Sequence, residues 1–229
     1  MITLYHSPTT RSFRVKWLLA ELDVPHAVKT IDFYSAERVH PDYLKINPMA
    51  SLPALTDGDL VLTESGAMIN YILRHYGGGR FKYPEGSQEA ALVDEWMYWS
   101  EGLFAVHQRI FWDHCAPPPG CLINPIPSVG EEAKRQAIRY AEMLEKSLGT
   151  SGFVVGDSLT GADFMLCFPL FLASLSGWFA NLPKIAAYVE RIAERPAFKL
   201  AIADTLECLQ QMAETEPLEP SFRCYEDSL

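Results

Sequence analysis

Hydrophobic periodicity changes once along this 229-residue chain, at the run Gly77-Gly78-Gly79. That change limits the possible folds more than any single motif. Before it, short apolar runs alternate with segments of helical period. Residues 2–6 read as a buried strand, and residues 12–22 as a helix with Phe13, Val15, Trp17, Leu18 and Leu22 on its apolar face and Ser12 as its cap. Val24-Pro25 ends that turn, because the residue before proline is pushed out of the helical region. Residues 26–33 read as a second strand, so the chain opens β-α-β, a parallel pair joined by a right-handed crossover. A short helical stretch at 41–46 follows, then Pro48 and Pro53. Residues 54–56 and 60–63 flank Asp57-Gly58, a hairpin signal, and residues 64–76 form a helix with Met68, Ile69, Ile72 and Tyr76 on one face.

After the glycines every segment has helical period. Residues 88–115 carry Leu92, Trp96, Trp99, Leu103, Val106 and Ile110 in steps of three and four, with a second stripe of Phe104, Phe111, Trp112 and Cys115. A helix apolar on two sides buries two faces. Further helices are expected at 131–148, 160–175, 182–193 and 196–209. The organisation that follows is a domain at 1–78, a linker at 79–87, an all-helical domain at 88–213 and a tail at 214–229.

Composition excludes several function classes. The net charge of −10 disfavours a nucleic-acid surface or an anionic membrane as partner. The most apolar run, residues 164–175, is too short to span a bilayer and contains Pro169. No leader pattern precedes the first strand, and the five scattered cysteines suit reduced thiols, so a cytoplasmic protein is expected. His114, Cys115 and Cys121 match no zinc spacing, and no metal is expected.

Three motifs carry chemistry. Leu52-Pro53-Ala54-Leu55 puts a proline at the start of a strand, either as an ordinary edge proline or as a cis bond that presents the Leu52 backbone to an extended peptide ligand. Leu62-Thr63-Glu64-Ser65-Gly66-Ala67 puts a carboxylate, a hydroxyl and free helix N–H groups at one spot, suited either to a plain N-cap or to a zwitterionic head group. Thr160 and Asp163 make a capping box, a folding device.

The spacing of the first two motifs, together with Leu4-Tyr5-His6-Ser7-Pro8-Thr9-Thr10-Arg11-Ser12-Phe13-Arg14-Val15-Lys16-Trp17-Leu18-Leu19-Ala20-Glu21-Leu22, resembles the glutathione S-transferase superfamily over about residues 1–210. It looks most like bacterial and fungal members with a Ser-Arg-Ser-x-Arg stretch. The resemblance implies a thioredoxin-like βαβ-ββα domain followed by an all-α domain. It also implies a glutathione co-substrate, a small hydrophobic electrophile and a homodimer. Aligning Arg14-Val15 with the family implies Thr10 as the hydroxyl that meets the thiol, followed by Thr9, Ser12 and Ser7, while Tyr5 is expected to pack. Leu52 and Pro53 would bind the cysteinyl part of glutathione, and Glu64 and Ser65 its γ-glutamyl end. Where the family often has a cation for the glycyl carboxylate this chain has Ala50-Ser51, which leaves Lys45 or His40 as substitutes. The electrophile pocket would be lined by Trp99, Leu103, Phe104, His107, Phe111 and Trp112, with Phe222 or Tyr225 from the tail. The alternatives are a non-catalytic binding or scaffold protein and a glutathione-dependent isomerase or peroxidase. A thiol-disulfide oxidoreductase would need a cysteine between residues 7 and 12, and there is none.

Overall fold

Ile2 and Leu4 point to one face of the first strand and Tyr5 to the other, and all three are buried, so the strand must be covered on both sides. The computed structural model describes residues 1–117, 124–149 and 151–215, and resolves two compact units: Met1–Lys82 with Glu194–Thr215, and Tyr83–Ala193.

The first unit holds a four-stranded sheet of β1 (Ile2–His6), β2 (His26–Thr30), β3 (Ala54–Asp57) and β4 (Leu60–Leu62), in the order β2-β1-β3-β4. β1 runs parallel to β2 and antiparallel to β3, and β3 runs antiparallel to β4. Gly58 turns the β3–β4 hairpin with φ of 59°, a conformation glycine adopts without steric cost. Helix α1 (Ser12–Glu21) crosses from β1 to β2, α2 (Pro41–Leu44) is a single turn, and α3 (Ser65–His75) follows β4. The expected fold class is thus present: a mixed α/β unit of thioredoxin-like βαβ-ββα order, with a helical unit after it.

Ser12 does not cap α1. Arg11 is the capping residue and makes no side-chain cap bond, because the Ser12 hydroxyl is engaged with His6 and Ser7. The stretch expected as one helical domain at 88–213 also divides differently. Its last helix, α9 (Pro196–Thr215), packs on α1, with Phe198 against Phe13 at 5.0 Å and Trp17 at 5.4 Å. Arg195 clamps Glu21 with both arms of its guanidinium, at 2.6 and 2.8 Å. Buried apolar area drives the contact, and the bidentate pair fixes its register.

In the second unit α4 (Gln88–Trp99) runs through a π-helical turn (Ser100–Phe104) into α5 (Ala105–Cys115). α6 (Pro127–Ser147), α7 (Gly161–Leu175) and α8 (Pro183–Ala193) complete it. The buried line along α4 and α5 is Val93, Met97, Ser100, Phe104, Gln108, Phe111 and Cys115. Leu92 and Val106 of the expected first stripe are exposed instead. α7 is buried almost throughout, and Thr160 and Asp163 form the expected capping box at its start. Pro169 has no N–H to give the Met165 carbonyl one turn back. Ser100 Oγ supplies the missing donor at 3.0 Å, which accounts for a buried serine on α4's extension. Cys121, Phe222, Tyr225 and the tail from residue 216 lie outside the described residues.

Candidate active site

Strand register brings three segments to one end of the first unit's sheet. Tyr5 pairs with Ala54 and Leu55 with Leu62. The loop leaving β1, the loop entering β3 and the junction from β4 to α3 therefore emerge together. These segments hold Thr9, Thr10 and Ser12, then Leu52 and Pro53, then Glu64 and Ser65. Arg14, fully buried on α1, donates from Nη1 to Ser65 Oγ at 3.1 Å and ties the first of these segments to the third.

The β1–α1 loop is a closed hydroxyl cluster. Thr10 Oγ1 donates to the Ser7 carbonyl at 2.8 Å and lies 2.7 Å from Ser12 Oγ. Ser12 Oγ accepts from the Ser7 amide at 3.2 Å and lies 3.0 Å from the Ser7 carbonyl. Ser12 is fully buried while Thr9 and Thr10 are half-buried, so the threonines are the accessible hydroxyls of the cluster. Thr9 has φ of 63°, a costly conformation for a β-branched residue. Its amide donates to Thr205 Oγ1 on α9 at 3.3 Å, and its hydroxyl lies 3.2 Å from that of Tyr34.

The Leu52-Pro53 bond is cis. Two side chains brace the loop before it: Tyr43 donates its hydroxyl to the Ser51 carbonyl at 2.5 Å, and Asn47 Nδ2 donates to the same oxygen at 2.7 Å. Burial pushes the Tyr43 hydroxyl up to about 12, so it remains a donor. Tyr5 packs with Tyr43, Leu52 and Ala54 in the core on this side of the sheet. Asn47, which with Pro48 opens the Leu52-Pro53 motif in the sequence, is thus a brace of that loop, and Tyr43 is a second brace that no sequence signal indicates.

Ser65 is buried at the first turn of α3, and Glu64 is the exposed residue capping it. Lys45 is exposed and paired with Asp42 at 2.7 Å. His40 accepts the Asp42 amide at 3.3 Å and so caps α2. Either residue would have to leave these contacts to serve a ligand carboxylate.

His6 and Asp204 were also missed. His6 Nε2 lies 2.9 Å from Asp204 Oδ2, and Lys16 pairs with the same carboxylate. Burial raises the Asp204 carboxyl, but hydrogen bonds from His6 and Lys16 outweigh it and hold the group down to about 2. No local pattern links residues 198 positions apart.

In the helical unit Trp99 stacks on Phe104 at 5.9 Å, and Phe111 meets Trp112 at 5.0 Å and Trp178 at 4.9 Å. Trp99, Phe104 and Phe111 are buried in this aromatic core, while Leu103, His107 and Trp112 are half-buried. His107 Nδ1 donates to the Leu103 carbonyl at 2.7 Å. Among the described residues no three His, Cys, Asp or Glu side chains converge as metal ligands would.

Mixed sheet and helical unit together define a protein with a thioredoxin-like unit followed by an all-helical one. Residues 1–74 match the glutathione S-transferase N-terminal domain and residues 112–196 its C-terminal domain. The chain is 32% identical over 205 residues to a probable glutathione S-transferase of Oryza sativa subsp. japonica, covering 83% of this chain and 90% of that one. It is similar to the solved structure of the glutathione transferase URE2P6 from Phanerochaete chrysosporium in complex with oxidized glutathione. There the TM-score is 0.80 at 25% identity, with 90% of this chain and 96% of that one covered. URE2P8 from the same organism, with oxidized glutathione, gives a TM-score of 0.81 at 21% identity over 91% and 96%. The chain belongs to the glutathione S-transferase family.

Proposed function

We propose that this protein is a glutathione transferase that stabilises the glutathione thiolate for attack on a hydrophobic electrophile. The observation that carries the reading is the emergence of the β1–α1 hydroxyl loop, Leu52-Pro53 and Glu64-Ser65 at one end of the sheet. The glutathione-bound relatives lend it support.

In this reading the Leu52 backbone pairs with the cysteinyl part of glutathione. Glu64 takes the γ-glutamyl ammonium, and the first N–H groups of α3 take the carboxylate beside it. A free thiol titrates at about 8.5, so little of it is ionised at neutral pH. A hydroxyl that donates to the sulfur stabilises the thiolate over the thiol. Thr10 is the proposed donor, with Thr9 next, because both are half-buried at the cluster's rim. Lys45 is the proposed partner of the glycyl carboxylate, in competition with Asp42. The half-buried Leu103, His107 and Trp112 are the proposed contacts for the electrophile, in front of the buried Trp99, Phe104 and Phe111. A homodimer is proposed as well, and Leu92, Tyr98 and Val106 are exposed apolar residues on α4 and α5 for that contact.

The test is retention on immobilised glutathione, followed by a panel of aryl halide, epoxide, enone and hydroperoxide substrates. Retention with turnover of the first three supports a transferase. Retention without any turnover points to a binding protein, and turnover of hydroperoxide alone points to a peroxidase. An unretained chain contradicts the reading.

A further inference from the structure

Behind the half-buried Thr10 stand three groups in a line, each from a different part of the chain. Thr10 Oγ1 lies 2.7 Å from Ser12 Oγ, Ser12 Oγ lies 2.7 Å from His6 Nδ1, and His6 Nε2 lies 2.9 Å from Asp204 Oδ2. His6 and Ser12 are buried, so water does not compete for their hydrogen bonds. Asp204 faces His6 from α9, and Lys16 on α1 pairs with Asp204. β2 sets Thr30 opposite it. Cys208, further along α9, is held as a neutral thiol by burial and by the carboxylates of Asp32 and Asp204.

Counting hydrogens gives this line two arrangements. An ionised Asp204 accepts only, so His6 Nε2 carries a hydrogen in both. With a neutral imidazole, Nδ1 is a lone pair and Ser12 donates to it. Thr10 then keeps its hydrogen inside the cluster, toward the Ser12 oxygen or the Ser7 carbonyl. With an imidazolium, Nδ1–H donates to Ser12, whose own hydrogen is then free to turn to Thr10 Oγ1 at 2.7 Å. Thr10 then accepts from Ser12, and its own hydrogen points out of that bond, to the Ser7 carbonyl or to a ligand.

We infer that the Asp204–His6 pair is a positioning device that sets the direction of the Ser12–Thr10 hydroxyl chain, the imidazolium turning the Thr10 hydrogen toward the glutathione sulfur. This rests on the reading of Thr10 as the donor to sulfur. No covalent step is involved, and the device decides only which hydrogen meets the sulfur. α9 thereby belongs to the chemistry of the sheet end, since Asp204 holds the imidazole while Thr205, the next residue, holds the Thr9 amide.

Two measurements test the inference. The first needs no glutathione. Ring-nitrogen shifts of His6, assigned with His6→Gln, report the hydrogen-bonding of Nδ1 and Nε2. Asp204→Asn replaces the carboxylate that Nε2 faces, so the shifts of both nitrogens should move if the pair is coupled to Ser12. An unchanged Nδ1 shift overturns the inference. The second is the thiolate absorbance of bound glutathione against pH. Its midpoint should rise by at least about half a unit in Asp204→Asn and in His6→Gln, with glutathione affinity within about threefold of wild type. A defect of packing alone would weaken affinity without moving the midpoint. Should His6→Gln fail to fold, Asp204→Asn decides by itself. Thr10→Val separates this inference from the reading beneath it. A raised midpoint in Thr10→Val with none in Asp204→Asn overturns the device and leaves Thr10 as donor. No shift in Thr10→Val overturns Thr10 as donor, and the device with it.

Discussion

Arg14 Nη1 donates to Ser65 Oγ at 3.1 Å, so a fully buried cation on α1 is held by the first residue of α3, 51 positions away. That bond joins the hydroxyl loop to the junction proposed to bind the γ-glutamyl group. Ser65→Ala removes an acceptor from a buried charged donor, which should cost about 1.5–3 kcal/mol of stability. Urea unfolding should show a lower midpoint with an unchanged slope. An unmoved midpoint would mean that the guanidinium is satisfied without Ser65.

Glu64 is exposed beside that junction, so its substitution separates binding from folding. Glu64→Ala should leave the unfolding midpoint in place and weaken glutathione binding by about 1.5–3 kcal/mol, roughly 10- to 150-fold. Calorimetry on the two proteins checks this, and equal affinities would move the γ-glutamyl contact elsewhere.

Ser100 is buried for a reason that lies on another helix: its hydroxyl donates to the Met165 carbonyl, the acceptor one turn before Pro169. Ser100→Ala removes that hydrogen bond and should destabilise the helical unit by about 0.5–1.5 kcal/mol. A thermal midpoint equal to wild type would show the carbonyl to be satisfied otherwise.

These residues mark what was legible in the sequence. The β-α-β opening, the Asp57-Gly58 hairpin and the Thr160/Asp163 box were legible because each depends on segments adjacent in sequence, whereas the pairing of β1 with β3 joins distant ones. The site segments were legible as text, since motif spacing survives without knowledge of contacts. Ser12 was misread as a cap because its partner His6 lies across a turn and offers a stronger site than the helix N–H groups. Of the two stripes on residues 88–115, the second is buried at Phe104, Phe111 and Cys115, while Leu92 and Val106 of the first are exposed. Only packing against α7, with Ser100 and Gln108 turned inward to carbonyls, decides between the faces. Asp204 and Thr205 were invisible because α9 meets the β1–α1 loop only in three dimensions.

Asp204 also predicts how stability responds to acid. Its carboxyl gives up a proton more readily when folded than when unfolded, being held at about 2 against an ordinary 3.8. Its contribution is therefore complete above 3.8 and is lost as pH falls toward about 2. The stability gap between wild type and Asp204→Asn should narrow across that window. A gap of constant size would show that the carboxylate does not stabilise the folded state.

The central claim is that the sheet end binds glutathione and that the Thr10 hydroxyl stabilises its thiolate. The most direct measurement is thiolate absorbance of bound glutathione, titrated against pH in wild type and in Thr10→Val. Wild type should give a midpoint at least about one unit below the free-thiol value of about 8.5. Thr10→Val, which keeps the shape and removes the donor, should raise that midpoint and slow conjugation at least about tenfold, near 1.4 kcal/mol. A wild-type midpoint equal to that of free glutathione, or no saturable thiolate signal at all, would contradict the account.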